Sequence, residues 1–135
     1  MRLTIDPKSA VPVSEQIAEG IRFAIARGRL AAGERLPGVR TLARDLLVNP
    51  NTVAKVYRDL ERDGVLRTRP GSGAFVGDRA TARCRRASRT VARTALETAL
   101  EKALAAGLDP REIEELVRGH LEVLEGAGAT SDDRR

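Results

Sequence analysis

The stretch VNPNTVAKVYRDLERDGVL, residues 48–66, decides how this chain is read. Val53, Val56 and Leu60 recur at helical spacing and, with Val48, make one apolar side, while Asn49, Asn51, Thr52 and Lys55 collect at the start. Asn49 suits an N-cap because its amide oxygen accepts an orphan backbone N–H. Pro50 suits the first helical position, where a missing N–H costs nothing. The spacing predicts a helix from Asn49 to near Gly64, buried along one side and polar at its N-terminal end.

Toward the N-terminus, residues 12–36 place Ile17, Ile21, Ala24 and Ile25 at helical spacing, predicting a first helix over about residues 14–27 with Ser14 as N-cap and Gly28 as terminator. Leu30, Gly33 and Leu36 form a compact connection. Val39, Leu42 and Leu46 then share a face of a short second helix over about 38–46, broken at once by VNPN. Toward the C-terminus, VLRTR and GAFV alternate well enough to be strands, with PGSG as a glycine-bearing turn. Two helices joined by a turn of a few residues and followed by a two-stranded ribbon make the winged form of the helix-turn-helix, whose second motif helix enters a DNA major groove.

That architecture explains the polar helix start. Asn51, Thr52 and Lys55 are placed to reach base edges or phosphates, and the free amides of the first turn, at the positive end of the helix dipole, add an anion site. Capping alone accounts equally well for Asn49 and Pro50. It does not account for Lys55, Arg58 or the arginines of the hairpin. Arg67 and Arg69 precede a turn, Pro70-Gly71-Ser72-Gly73, whose glycines let a backbone lie close to a phosphate chain or a minor groove. Arg40 falls at the start of the helix that crosses the sugar-phosphate backbone in such motifs. Arg44 is a weaker candidate because Asp45 and Asp59 offer it surface pairing.

Composition agrees. A chain of 135 residues fits one domain, or one small domain with an appendage, and a two-domain enzyme is not expected. A net charge of +5 and a pI near 10.3 favour polyanionic partners. With neither a membrane span nor an apolar leader in the sequence, a cytoplasmic protein is expected. The aromatic residues Phe23, Tyr57 and Phe75 are too few for a single-strand stacking platform. The single cysteine, Cys84, lies among Arg83, Arg85 and Arg86; it is either a thiol whose pKa these cations lower, or a spare thiol in a basic segment.

Residues 12–76 also carry a resemblance. Q-I-x-x-x-I-R, G-x-L-x-x-G-x-x-L-P, R-x-L-A, V-N-x-x-T-V-x-x-x-Y-x-x-L, G-x-L and G-x-G-x-F-V occur in this order, and the segment resembles the GntR family of bacterial transcription regulators. The resemblance implies a dimeric DNA-binding repressor or activator, with Arg40, Asn51, Thr52, Lys55, Tyr57 and the wing at Arg69, Gly71 and Gly73 at or near DNA. Three positions depart from the family pattern: Gly38 stands for a serine, Val56 for an alanine and Ala74 for a threonine. Gly38 removes a helix cap or phosphate contact. Residue reading and resemblance together give an expected DNA-binding set of Arg40, Asn49, Pro50, Asn51, Thr52, Lys55, Tyr57, Arg58, Arg67, Arg69, Gly71, Ser72 and Gly73.

Residues 79–135, which follow the wing, are too few for the large effector domains of other GntR subfamilies, and they resemble the two-helix appendage of YtrA-like regulators, which the resemblance assigns to dimerisation. The residues support this independently. Ala92, Leu96, Leu100, Ala103 and Leu104 make one apolar stripe, and Ile113, Leu116, Val117, His120, Leu121 and Leu124 another, separated by GLDP. Asp109, Pro110 and Glu112 form a capping signature between them. A pair of antiparallel helices cannot bury both stripes alone; a partner chain completing four helices would, and packing onto the chain's own winged domain is the alternative. The expected dimer interface is Leu96, Leu100, Ala103, Leu104, Ile113, Leu116, Val117, Leu121 and Leu124.

The run from Arg79 to Arg93 holds six arginines and no acid, a charge pattern that opposes the macrodipole of a helix start. It reads as a solvated basic linker, or as a contributor to DNA phosphates or to the positioning of two reading heads. His120 is the sole histidine and suits a helical interface better than a metal site, which needs several ligands. No nucleophile-base pairing and no nucleotide-binding glycine pattern occurs, so no enzyme activity, cofactor or metal is expected.

The expected architecture is thus mainly α with a small β-hairpin wing: a winged helix-turn-helix DNA-binding domain over 1–78, a helical dimerisation appendage over 79–126 and a flexible tail over 127–135. The expected function is a homodimeric transcription regulator, foremost a repressor of a palindromic operator in double-stranded DNA. YtrA-like regulators often control transporter operons, a target class the resemblance adds. A small-molecule effector would have to use the appendage or the space between domains. The rival is a winged-helix interaction module whose C-terminal helices recruit another protein.

Overall fold

The computed structural model describes residues 1–129. Its elements are α1 (Val13–Ala26), α2 (Val39–Leu46), α3 (Pro50–Arg62), β1 (Leu66–Arg69), β2 (Gly73–Val76), α4 (Ala80–Ala105) and α5 (Pro110–Ala129). They fall into two compact units, one spanning Met1–Val91 and the other starting at Ala92, with the boundary inside α4. This mainly helical chain with one antiparallel hairpin is the expected winged helix-turn-helix followed by helices.

In the first unit, α3 packs against α1, α2 and β1. The isoleucines of α1 at i, i+4 and i+8, Ile17, Ile21 and Ile25, are fully buried with Val53, Val56 and Leu60 of α3. Leu42 of α2 closes the same core. Burying one such aliphatic side chain stabilises the fold by about 1.5–3 kcal/mol, so this cluster, and not local propensity, holds the short helices in place.

Ser14 does not cap α1. Pro12, in extended backbone, is the N-cap, and its carbonyl already accepts from the Gln16 N–H at 3.0 Å, which leaves Ser14 inside the first turn. Gly28 takes the left-handed conformation (φ 77°) just past the helix end, as a terminator should. Residues 1–11, which carry no sequence signal of regular structure, are tied across α1. The Gln16 side chain accepts from Asp6 N–H at 2.8 Å and donates to the carbonyls of Asp6 and Val11, both at 2.9 Å. Leu3 lies over Gly20, where an added Cβ would come within 2.8 Å of its Cδ2.

The wing is a four-residue ladder from Leu66↔Val76 to Arg69↔Gly73. A third segment joins it. Arg35 bridges Phe75, with Leu36 N–H donating to Ala74 O and Val76 N–H to Glu34 O, both at 2.9 Å. The compact connection expected around Leu30, Gly33 and Leu36 therefore also covers one edge of the hairpin. Gly77 closes the base: an added Cβ would meet Gly64 O at 2.8 Å, so only glycine lets the chain pass there.

The compositional break at residue 78 coincides with the start of α4, and the first unit continues to Val91 because Ala80 and Cys84 enter its core. The basic run is therefore part of a helix from Ala80 onward. In the second unit, α4 ends through Gly107 (φ 92°), whose N–H donates to Leu104 O, with Leu108 N–H donating to Ala103 O. Asp109 and Glu112 then form the reciprocal capping box: Asp109 N–H donates to Glu112 Oε2 at 2.9 Å and Glu112 N–H to Asp109 Oδ1 at 3.0 Å. The helix α5 extends to Ala129; residues 130–135 of the expected tail lie outside the described residues.

Candidate nucleic-acid interface

The polar end of α3 is built by its cap. Asn49 Oδ1 accepts from Asn51 N–H at 2.8 Å, and Pro50 occupies the first helical position. The Asn49 oxygen is committed to the backbone, and the other polar side chains at this end are Asn51, Thr52 and Lys55; Asn51 and Lys55 are exposed and Thr52 half-buried. One turn on, Arg58 is exposed as well, as is Arg40 in the first turn of α2. The expected residues thus divide: Asn49 and Pro50 shape the helix start, while Arg40, Asn51, Lys55 and Arg58 stand out from it.

Tyr57 belongs to the core. It is 5% exposed, and its hydroxyl donates to Pro37 O at 2.7 Å. Burial pushes its pKa up to about 12. The hydroxyl of Tyr57, which the resemblance puts at or near DNA, ties α3 to the segment leading into α2. The aromatic ring supplies burial, and the hydroxyl satisfies a carbonyl that precedes Gly38, where no side-chain cap bond is made.

An open cleft runs between α3 and the wing, lined among others by Gly38, Ala54, Arg58, Arg69, Gly71 and Gly73. Its base is fixed by Glu61 of α3, whose carboxylate accepts from Thr68 N–H at 3.2 Å and from the Thr68 hydroxyl. At the tip, Gly71 (φ 76°) and Gly73 (φ 104°) have left-handed backbone, and an added Cβ at Gly71 would meet open space. Glycine is thus required here by conformation, and it also leaves the tip backbone bare for close approach. Ser72, exposed, donates its N–H to Arg69 O at 2.9 Å and closes the turn.

The wing arginines differ. Arg67 pairs with Asp78 at 2.8 Å, which turns it toward the wing base. Arg69 lies 5.4 Å from the centroid of the Phe75 ring, which orders its guanidinium without neutralising it. Arg35 is the residue sequence reasoning missed: its guanidinium lies so close to Gly73 that an added Cβ there would be 3.3 Å from its Nε. The missing signal was the third ladder segment, since nothing in residues 33–36 alternates long enough to read as a strand. Arg44 sits 3.6 Å from Asp45, whereas Asp59 pairs with Arg62 at 3.4 Å.

In the second unit the expected interface residues are solvent-facing. Leu96, Leu104, Leu116, Val117, Leu121 and Leu124 are exposed, and Leu100, Ala103 and Ile113 half-buried. His120 Nδ1 lies 3.0 Å from Leu116 O, one turn back along α5. Among the described residues, no His, Cys, Asp and Glu cluster could hold a metal ion. Cys84 is buried at 1% exposure; burial raises its pKa and outweighs the lowering by Arg22 and Arg83, so the thiol is not activated by its arginine neighbours.

Comparison with known proteins agrees with this geometry. The family described as "Bacterial regulatory proteins, gntR family" matches residues 13–76. The HTH-type transcriptional repressor YtrA of Bacillus subtilis is 32% identical over 116 residues, 86% of this chain and 89% of the relative. A transcriptional regulator from Oenococcus oeni superposes with a TM-score of 0.68 at 31% identity, over 87% of this chain and 97% of the other. The DNA-binding domain of AraR in complex with operator ORX1 superposes with a TM-score of 0.50 at 28% identity, over 56% of this chain and 93% of that domain. These relatives and the family are transcription regulators, not enzymes. With the ordered helix-turn-helix and wing matched across most of both chains, this chain belongs to the GntR family and is a YtrA-like, DNA-binding transcription regulator.

Proposed function

We propose that the chain is a homodimeric repressor that reads an inverted-repeat operator, one α3 per half-site. The observation that carries the reading is the capped N-terminal end of α3, which presents Asn51 and Lys55 to solvent beside a glycine-tipped wing bearing Arg69. In this reading Asn51 and Thr52 hydrogen-bond base edges or nearby phosphates in the major groove. Lys55, Arg58 and Arg40 neutralise phosphates, and the tip at Gly71, Ser72 and Gly73 brings Arg69 and Arg35 against the flanking backbone or minor groove. Asn49, Pro50 and Tyr57 position these groups, and Arg67 contributes through the wing base.

Dimerisation by α4 and α5 is supported by their exposed stripes, which no described residue covers well enough to bury. A twofold protein matches a twofold site. Repression is supported by the likeness to YtrA of Bacillus subtilis, whose name gives it that role, and the YtrA-like resemblance adds transporter operons as the class of target. Among the described residues no helix is long and apolar enough to cross a membrane; a cytoplasmic site of action follows from the operator reading.

Selection of bound sequences from random duplex DNA across a salt series, with sedimentation of the free protein, tests the reading. An inverted repeat bound specifically at physiological salt by a species of twice the 14.6 kDa chain mass is the expected result. A monomer with only unselective binding that vanishes with salt would overturn it and favour the interaction module.

A further inference from the structure

Of the three aromatic residues, Tyr57 is buried and Phe75 half-buried, whereas Phe23 on α1 is 53% exposed. Its surroundings follow from the helix period. Ile17, Ile21 and Ile25 take one side of α1 into the core; Gly20, Phe23, Ala24 and Arg27, at i, i+3, i+4 and i+7, form the neighbouring side. Gly20 and Ala24 are small, so this side is hollow between Phe23 and the chain that crosses it. The crossing chain is residues 1–4: Leu3 lies over Gly20, and Leu3 and Ile5 pack against the core. The Gln16 bonds to Asp6 and Val11 hold the same segment further on. Past the end of α1, Arg29 N–H donates to Ala24 O at 2.9 Å, which folds Arg29 and Leu30 against the helix end.

The result is a cleft of about 170 Å³ wholly within the winged unit. Met1, Leu3, Phe23, Ala24 and Leu30 give it apolar walls, and Arg2, Arg27 and Arg29 supply its charge; among the described residues no acid lines it. Elsewhere in the unit arginines find carboxylates, Arg22 with Asp63, Arg62 with Asp59 and Arg67 with Asp78. Among the described residues no carboxylate pairs with Arg2, Arg27 or Arg29. Arg27 lies instead 5.1 Å from the centroid of the Phe23 ring, which orders the guanidinium and leaves its charge for a ligand. Three cations gathered around one apolar cleft repel one another, and a bound anion relieves that repulsion.

We propose that this cleft is a binding site for a small organic anion, an apolar group of about one ring that carries a carboxylate. Size sets the class. An apolar cavity of about 150 Å³ accepts benzene, whereas drug-sized ligands and cofactors occupy about 300–1,000 Å³, so nucleotides are too large. The apolar body of the ligand replaces water against Leu3, Phe23 and Leu30, and its carboxylate takes charge-assisted hydrogen bonds from Arg27 and Arg29. The site belongs to the unit that carries α3 and the wing, and it needs neither a second copy of the chain nor the C-terminal helices.

The probe is benzoate, titrated into the full chain at constant ionic strength and followed through the backbone amide spectrum. Saturable shifts at Leu3, Gly20, Phe23, Ala24 and Leu30 are expected, with a Kd of about 1 mM or tighter for a ligand of this size. Benzyl alcohol, the same ring without the charge, should bind about ten-fold more weakly. Arg27→Gln/Arg29→Gln should weaken benzoate by about ten-fold and leave benzyl alcohol unchanged, while Phe23→Ala should weaken both. All three side chains are exposed, so these variants keep the fold. Shifts spread over α3 and the wing, equal binding of benzoate and benzyl alcohol, or an unchanged benzoate affinity in the double variant each overturn the site. Absence of saturable shifts at about twenty times the expected Kd does the same. If the same amides move on raising the protein concentration alone and benzoate leaves them still, a second copy of the chain covers the cleft, and the ligand site is overturned equally.

Discussion

The two units spend their apolar residues in opposite ways. In the first, Ile17, Ile21, Ile25, Val53 and Leu60 are all at 0% exposure. In the second, Leu96, Leu116, Leu121 and Leu124 stand between 52% and 67% exposed on helices that are well capped. Capping and propensity suffice to make a helix but not to bury its stripe. The winged unit buries its apolar stripes within itself, and the appendage leaves its stripes exposed.

The largest effect should come from placing a charge on that uncovered stripe. Leu116→Asp is expected to halve the sedimenting mass and weaken operator binding by about 10²–10⁴-fold through lost bivalency. The melting of the winged unit should be unaffected. If mass and affinity stay at wild-type values, the stripes are not the interface and the contrast between the units has another cause. Next in size, Leu60→Ala opens a cavity in the closed core and should lower unfolding stability by about 2–5 kcal/mol in denaturant titration. Leu121→Ala on the exposed stripe should cost far less in a dilute, monomeric sample; equal costs would break the comparison.

What the sequence disclosed follows the same division. Stripes with a period of 3.6 residues were legible in every helix, because burial on one face leaves a periodic trace whether the partner is the same chain or another. The cap at Asn49 and the box at Asp109 and Glu112 were legible because capping chemistry is local. The interface reading picked out Asn51, Lys55 and Arg69 from the same local rules. Features that depend on distant chain segments left no such trace. Arg35 beside the wing and the bonds of Arg83 to the Asp63 carbonyl and of Arg85 to the Ala26 carbonyl join positions 20 or more residues apart in sequence. The bond of the Tyr57 hydroxyl to Pro37, 20 residues earlier, left no local trace for the same reason.

Tyr57 sharpens the picture of the closed unit by titration. It is the only tyrosine and there is no tryptophan, so phenolate absorbance reports this side chain alone. Its folded pKa of about 12 lies above the ordinary 10.0, so the fold favours the neutral phenol. The corresponding stability is complete below pH 10 and is lost as pH rises through the folded value of about 12. The phenolate signal of the folded protein should therefore appear near pH 12, and near 10 in denaturant. Tyr57→Phe leaves the Pro37 carbonyl without its donor and should cost about 1–2 kcal/mol. A signal already complete by pH 10.5 or so in the folded state would place the ring outside the core.

The smallest expected effect concerns the most exposed large apolar residue of the first unit. Leu47, between α2 and α3, is 93% exposed and left-handed at φ 55°. Its side chain gains nothing from burial, and its backbone carries the penalty of about 1–2 kcal/mol that L-residues meet in this conformation. Glycine escapes that penalty but gives up about 0.5–1 kcal/mol of extra chain entropy on folding. The balance favours Leu47→Gly by about 1 kcal/mol or less, a rise of a few degrees in the melting midpoint of a domain this small. Operator affinity should hold, because the oxygen that caps α3 belongs to Asn49 and its bond to Asn51 does not involve Leu47. A variant that melts higher yet binds the operator more weakly would show instead that Leu47 is kept in its costly conformation for the DNA, and would move it from the scaffold into the interface.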